Sequence, residues 1–130
     1  MVHTMSEPIA VAALREFWRA CEARDWPGLA ATLARDVVYT VPQTRERVRG
    51  RDAYVRFNAE YPGDWHLVIT RLVGDERSAV SFTSFTIGEE TMTGVCAVEV
   101  DDDGLLVSLE DWWPEPYEPP AGRSHLVERF

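Results

Sequence analysis

The sequence predicts an α+β domain, with helices first and an antiparallel sheet after them. Three observations support this. Up to about position 61, three segments carry apolar residues at helical spacing. Four apolar or alternating runs follow: "DWHLVITRLV", "SAVSFTSFTI", "TMTGVCAVEV" and "LLVSLEDWW". Between them lie "GDER", "GEE" and "DDDG", all turn chemistry, so the runs read as strands joined by hairpins. Helices segregated from such a meander are the α+β pattern. At 130 residues and 45% hydrophobic, the chain suits one domain with a substantial core.

Each element has its own local signals. Ser6 suits a helix N-cap, and Pro8 falls in the first turn, where a missing N–H costs little. Ile9, Ala13 and Phe17, with Leu14, Trp18 and Cys21, then recur at helical spacing to about Arg24. Asp25 can cap a short second helix, "WPGLAATLAR". The β-rich stretch "DVVYTVP" stops at Pro42. A loop, "QTRERVRG", leads to a third helix, "RDAYVRFNAEY", which Pro62 and Gly63 end. Residues 114–130 form a proline-rich tail expected to run extended over the surface, with a short pairing segment at its end.

Composition narrows the function. A net charge of −9 argues against sequence-independent nucleic-acid binding, which needs cations to neutralise phosphates. All 13 cations are arginine. The one local cluster, Arg45, Arg47, Arg49 and Arg51, reads as a solvated loop or edge strand, or else as an anion or partner contact. No apolar run has the length of a membrane span, and "MVHTMSEP" lacks a signal-peptide pattern, so a cytoplasmic protein without a membrane partner is expected. Cys21 and Cys96 read as reduced core thiols. With three histidines at unrelated positions they make no metal-ligand spacing, so neither metal nor cofactor is expected.

The chemistry concentrates near the last strand. In "LVSLEDWWPEPY", alternation places Leu105, Val107, Leu109, Asp111 and Trp113 on one face. A carboxylate on that apolar face beside an indole either accepts structural hydrogen bonds that hold the strand in place, or loses hydration, which raises its pKa and suits it to proton transfer. Asn58 shares overlapping helical faces with Tyr54, Phe57 and Tyr61 and can donate to a developing oxyanion. Tyr39, on one strand face with Val41, can orient a ligand by its hydroxyl. His66 has a useful pKa but is opposite in parity to Trp65, Leu67 and Ile69, so it points inward only if Val68 and Leu72 do. Cys96 reads as a small residue of the interior. Trp18 and Trp26 read as helix-packing residues, Trp65 as a rim residue and Trp112 as outward-facing.

With these residues in view, the chain resembles the NTF2-like superfamily in its SnoaL-like branch. "FWRACEARDWPGLAATLARDVVY", "RVRGRDAYVRF", the turn-separated strands and the terminal "EDWWPE" carry the resemblance, over roughly residues 8–116. It implies a curved antiparallel sheet wrapped around three helices as a cone, with a mostly apolar pocket at its mouth and a homodimer formed through the outer sheet face. It also implies that Asn58 looks into the pocket. The same cone serves isomerases, cyclases, dehydratases, epoxide hydrolases and non-catalytic proteins. Matched to the ketosteroid isomerases, the base carboxylate falls at Val41, the tyrosine donor at Phe17 and the carboxylic donor near Cys96, and all three functions are absent. Matched to the epoxide hydrolases, Asp111 has Arg71 as a candidate companion and lacks a second acid.

The expectation is a small-molecule-binding protein for an apolar carbonyl or polyketide-like ligand. Asp111, Asn58, Tyr39 and His66 are its candidate catalytic groups. Phe17, Val41, Tyr54, Phe57, Cys96 and Trp113 are its candidate ligand contacts. Cofactor-free cyclisation, isomerisation or dehydration stands beside two alternatives, a non-catalytic binding module and a structural dimer whose cone is filled.

Overall fold

The computed structural model describes residues 7–130, so the expected Ser6 cap lies outside the described residues. Its elements, in chain order, are α1 (Ile9–Ala23), α2 (Trp26–Thr32), β1 (Leu33–Val41), β2 (Glu46–Arg49), α3 (Arg51–Ala59), β3 (Trp65–Gly74), β4 (Ser78–Ile87), β5 (Glu90–Val100) and β6 (Leu106–Trp112). The six strands form one curved, unclosed sheet in the order β2-β1-β6-β5-β4-β3. The three helices complete the α+β class. Strands β3 to β6 are the expected antiparallel meander. The sheet is mixed, however, because β1 lies parallel to β6 and antiparallel to β2.

Helix α1 is amphipathic, and it buries Ala10, Leu14, Phe17, Ala20 and Cys21 against the sheet's inner face. Pro8 stands at the N-cap and not inside the first turn, and it supplies no side-chain cap. The β3–β4 turn does the capping: Glu76 Oε2 accepts the Ile9 N–H at 3.0 Å and the Asp75 carbonyl accepts that of Ala10 at 3.3 Å. At the other end Arg24 adopts a left-handed conformation (φ 56) unusual for a residue with a side chain. Its guanidinium donates to the carbonyls of Cys21, Glu22 and Trp65 and lies 3.5 Å from the centre of the Trp65 indole.

Helix α2 starts as expected, with Asp25 Oδ1 accepting the Gly28 N–H at 2.9 Å. A Cβ at Gly28 would lie 2.3 Å from Asp25 Oδ2, so a larger residue there would have to shift the capping carboxylate. The helix ends three residues short of the expected Arg35. Leu33 and Ala34 are buried in β1, where Leu33 pairs with Leu106, and tertiary pairing overrides local helical preference. The expected loop 43–50 contains strand β2, whose Val48 pairs with Tyr39 of β1. Arg47 and Arg49 are exposed there, as charges commonly are on an edge strand.

Strand β6 departs from simple alternation. Glu99 pairs with Ser108 and Val100 with Leu106, leaving Val107 as a bulge. Leu106, not Leu105 or Val107, is therefore fully buried, and the expected parity resumes at Leu109 and Asp111. The tail is exposed and, beyond Trp113, carries a short 3-10 turn at Ser124–Leu126 in place of the expected pairing segment.

Candidate functional site

The cone end near the C-terminal half of α1 holds a cavity whose wall is almost wholly aromatic. Trp18, Tyr54, Phe57, Trp65, Phe85 and Trp113 contribute rings, and Asp111, Tyr39 and Asn58 contribute polar atoms. The rings order one another. Tyr54 stacks on Tyr39 at 4.5 Å between centroids, Trp65 stacks on Phe85 at 6.1 Å, and Phe85 meets Trp113 edge-on at 5.2 Å. Two features place Trp113. Gln43, in the β1–β2 turn, accepts the Trp113 N–H and donates to its carbonyl. Gly94 then leaves room for the indole, since a Cβ there would lie 3.0 Å from it. The space is narrow, a cavity of about 40 Å³ with room for roughly three waters.

Asp111 is 6% exposed. It sits opposite Cys96 on β5, and β6 runs beside β1 with Leu109 paired to Tyr39. The Tyr39 hydroxyl therefore reaches one step along the sheet and donates to Asp111 Oδ2 at 2.5 Å. Among the described residues no cation pairs with this carboxylate. Burial raises its pKa from 3.8 to about 6, against the opposing effects of the Tyr39 hydroxyl and the Cys96 thiol, which favour the ionised form. Burial also pushes the Tyr39 phenol and the Cys96 thiol up, and the charge of Asp111 adds to that. Both remain protonated donors, and Cys96 is unsuited to act as a thiolate nucleophile.

The other expected site residues divide into two groups. Tyr54, Phe57 and Trp113 line the cavity as expected, and so does Asn58, whose amide donates to the Tyr54 carbonyl at 2.9 Å. Phe17, Val41 and Cys96 are corrected: all three are buried in the packed core and are not part of the cavity wall. Phe17 lies behind Tyr54, with their rings stacked at 6.0 Å. His66 is corrected too. It is exposed, with Nδ1 2.8 Å from Glu22 Oε1 and Nε2 3.1 Å from Asp64 Oδ1, because Trp65 and Leu67 take the inward positions of β3. Arg71 is exposed and stands over the Phe82 ring at 5.3 Å, so it does not accompany Asp111.

Sequence reasoning missed several wall residues. Cys21, Tyr61, Leu67 and Phe85 join the cavity, as does Trp18, whose indole N–H donates to Ser81 Oγ at 2.9 Å. The alternation of β4 would have found Phe85, since Ala79, Ser81, Thr83 and Phe85 share its buried face. No local signal marks Gln43.

Compared with known proteins, the chain matches the family described as SnoaL-like domain over residues 14–109. It is similar to a candidate ketosteroid isomerase from Kribbella flavida, with 49% identity and a TM-score of 0.89 over 94% of this chain and 90% of that one. An NTF-2 like protein of unknown function from Burkholderia xenovorans is 23% identical, with a TM-score of 0.77 over 94% of this chain and 95% of the other. An LEH-like epoxide hydrolase from M. tuberculosis is 22% identical, with a TM-score of 0.68 over 82% and 83%. These last two likenesses show the fold alone. No curated protein matches.

Proposed function

The chain belongs to the SnoaL-like domain family, and from that premise we propose that it carries out cofactor-free acid/base chemistry on an apolar carbonyl compound, with Asp111 as the proton carrier. The observation that supports this is a buried carboxylate, with no cation partner among the described residues and a pKa of about 6, at the wall of an aromatic cavity. Near neutral pH it is mostly ionised and can take a proton from carbon next to a carbonyl. The Tyr39 hydroxyl holds the carboxylate in one orientation, and Asn58 has a second amide N–H with which to meet the oxyanion that forms. The Kribbella relative suggests an isomerase, and proton transfer at carbon is that class of step. Among the described residues Asp111 is the only buried carboxylate, and Phe17, Val41 and Cys96 sit in the core. Any isomerisation here would therefore pass through one acid, not a separate base and carboxylic donor.

The test is deuterium exchange at the carbon beside the carbonyl of cyclopentanone and cyclohexanone in D2O, followed by NMR. Exchange should rise with pH through about 6 and fall roughly 100-fold or more in Asp111→Asn, the usual scale of a lost general base. Equal exchange by the variant would defeat the assignment. The narrow cavity favours a second reading, a cone filled by its own aromatic rings, which predicts no exchange and no saturable ligand.

We also propose that the chain dimerises through the outer sheet face. Trp112 is 41% exposed on that face, beside half-buried Val95, and aromatic residues are enriched in such interfaces. Trp112→Arg should convert a dimer to a monomer in analytical ultracentrifugation.

A further inference from the structure

Two spaces in this protein share one wall. The inner cavity beside Asp111 offers only about 40 Å³, whereas an outer groove bordered by Val48, Ala53 and Pro62 is wider, shallow and largely open to solvent. Phe57 and Tyr61 line both. Neither space alone is a good binding site: the inner one is below the usual size of a ligand pocket, and the outer one lacks the carboxylate.

The two wall residues are held very differently. Phe57 is a helical residue of α3, packed on Tyr39 at 5.2 Å and on Tyr54 at 6.0 Å. Tyr61 follows the end of that helix and is 39% exposed. Its ring meets Phe57, Trp65 and Phe85 only edge-on, at 5.7, 6.5 and 6.4 Å. Two residues later the backbone is pinned. Gly63 has φ 94, and a Cβ there would lie 2.6 Å from Ile87 Cδ1, while the Asp64 carbonyl accepts the Gly88 N–H at 3.2 Å. The least restrained side chain of this wall is thus that of Tyr61, next to a backbone pinned at Gly63 and Asp64.

We propose that Tyr61 is a gate whose rotation joins the two spaces into one cleft, and that the cleft selects an elongated, uncharged apolar carbonyl compound. The carbonyl end would enter the inner cavity at Asp111 and the chain would lie along the outer groove. Resting on the reading of Asp111 given above, this adds the shape and polarity of the substrate. The absence of a charge preference follows from the groove's own ions: Arg56 and Glu60 border it and pair with each other, so it carries no free charge of either sign.

The experiment is binding of 2-butanone, 2-octanone and 2-undecanone, read by ligand-observed NMR and by stopped-flow tryptophan fluorescence. It uses the full chain and its Tyr61→Ala and Ala53→Trp variants. Affinity should rise at least tenfold from 2-butanone to 2-undecanone. Ala53→Trp, at an exposed helical position in the outer groove, should remove most of that gain without lowering the melting temperature. Tyr61→Ala should speed both association and release of 2-undecanone at least tenfold. Absence of saturable 2-undecanone binding, equal affinity across the series, or binding indifferent to Ala53→Trp would overturn the cleft. Unchanged rates in Tyr61→Ala would overturn the gate. Length-dependent binding without deuterium exchange would leave the cleft standing and remove the catalytic reading.

Discussion

The two ends of helix α1 lie against two different kinds of carboxylate. At its N-terminal end the β3–β4 and β5–β6 turns gather, and their acids face water. Asp75 accepts the backbone N–H groups of Arg77 and Ser78 at 2.8 and 2.9 Å, which holds its carboxyl below the usual range. Asp101 Oδ1 likewise accepts the backbone N–H groups of Asp103 and Leu105, at 2.9 and 3.0 Å. At the C-terminal end Asp111 is enclosed by aromatic surface, and its pKa moves the other way, to about 6. One residue type thus serves as a turn clamp at one end and as a poised proton carrier at the other. The difference lies in which groups replace the water around it.

Substitutions at the two ends should separate these roles. The largest effect belongs to the packing they share. Leu106 is fully buried at the β6 bulge, and Leu106→Ala should cost about 2–5 kcal/mol in urea unfolding. A loss below about 1 kcal/mol would mean that the bulge does not seat this side chain in the core.

Next comes the buried carboxylate. Because the folded-state pKa of Asp111 lies above its unfolded value of 3.8, the folded protein holds the proton more tightly. Its ionisation therefore destabilises the fold. The cost is absent below about pH 4, grows as pH rises through the window, and is complete above about pH 6. The rise from 3.8 to about 6 sets that cost at up to about 3 kcal/mol. Asp111→Asn should accordingly stabilise the protein at pH 8 and do so far less at pH 4.5, as read by melting temperature. A difference that does not change with pH would place the ionisation elsewhere.

At the other end the sign reverses. Asp75, with its lowered pKa, contributes stability that is present above pH 3.8 and lost as pH falls through the folded-state value. Asp75→Ala should lower the melting temperature modestly at pH 7, with the deficit shrinking in acid. The smallest effect concerns His66, whose pKa is raised chiefly by its bond to Glu22. The contribution of this exposed pair is full below pH 6.5 and disappears as pH rises through the folded-state pKa, so His66→Ala should matter slightly at pH 6 and not at pH 9.

Much of this was legible in the chain because it depends on neighbours in sequence. Periodicity located α1 and α3, Asp25 announced the cap of α2, and turn residues divided the meander into its four strands. Alternation pointed Asp111 inward, and helical spacing grouped Tyr54, Phe57 and Asn58 on the cavity side. Local pattern failed where a partner distant in sequence decided the outcome. Pairing with β6 drew Leu33 and Ala34 out of α2, and the bulge at Val107 exchanged which leucine enters the core. Parity within β3 sent His66 to the surface, a choice its sequence left open.

The residues themselves determined that this chain could build an α+β cone with one acid on an apolar strand face, since periodicity and turn chemistry act over a few residues. Only the tertiary structure decided which groups surround that acid. The hydroxyl donated by Tyr39, 72 residues away, the lack of a cation partner among the described residues and the aromatic wall completed through Gln43 arise from strand order and register. A pKa follows the solvent that burial removes and the dipoles that replace it, and those are properties of the packed molecule, not of any short stretch of chain.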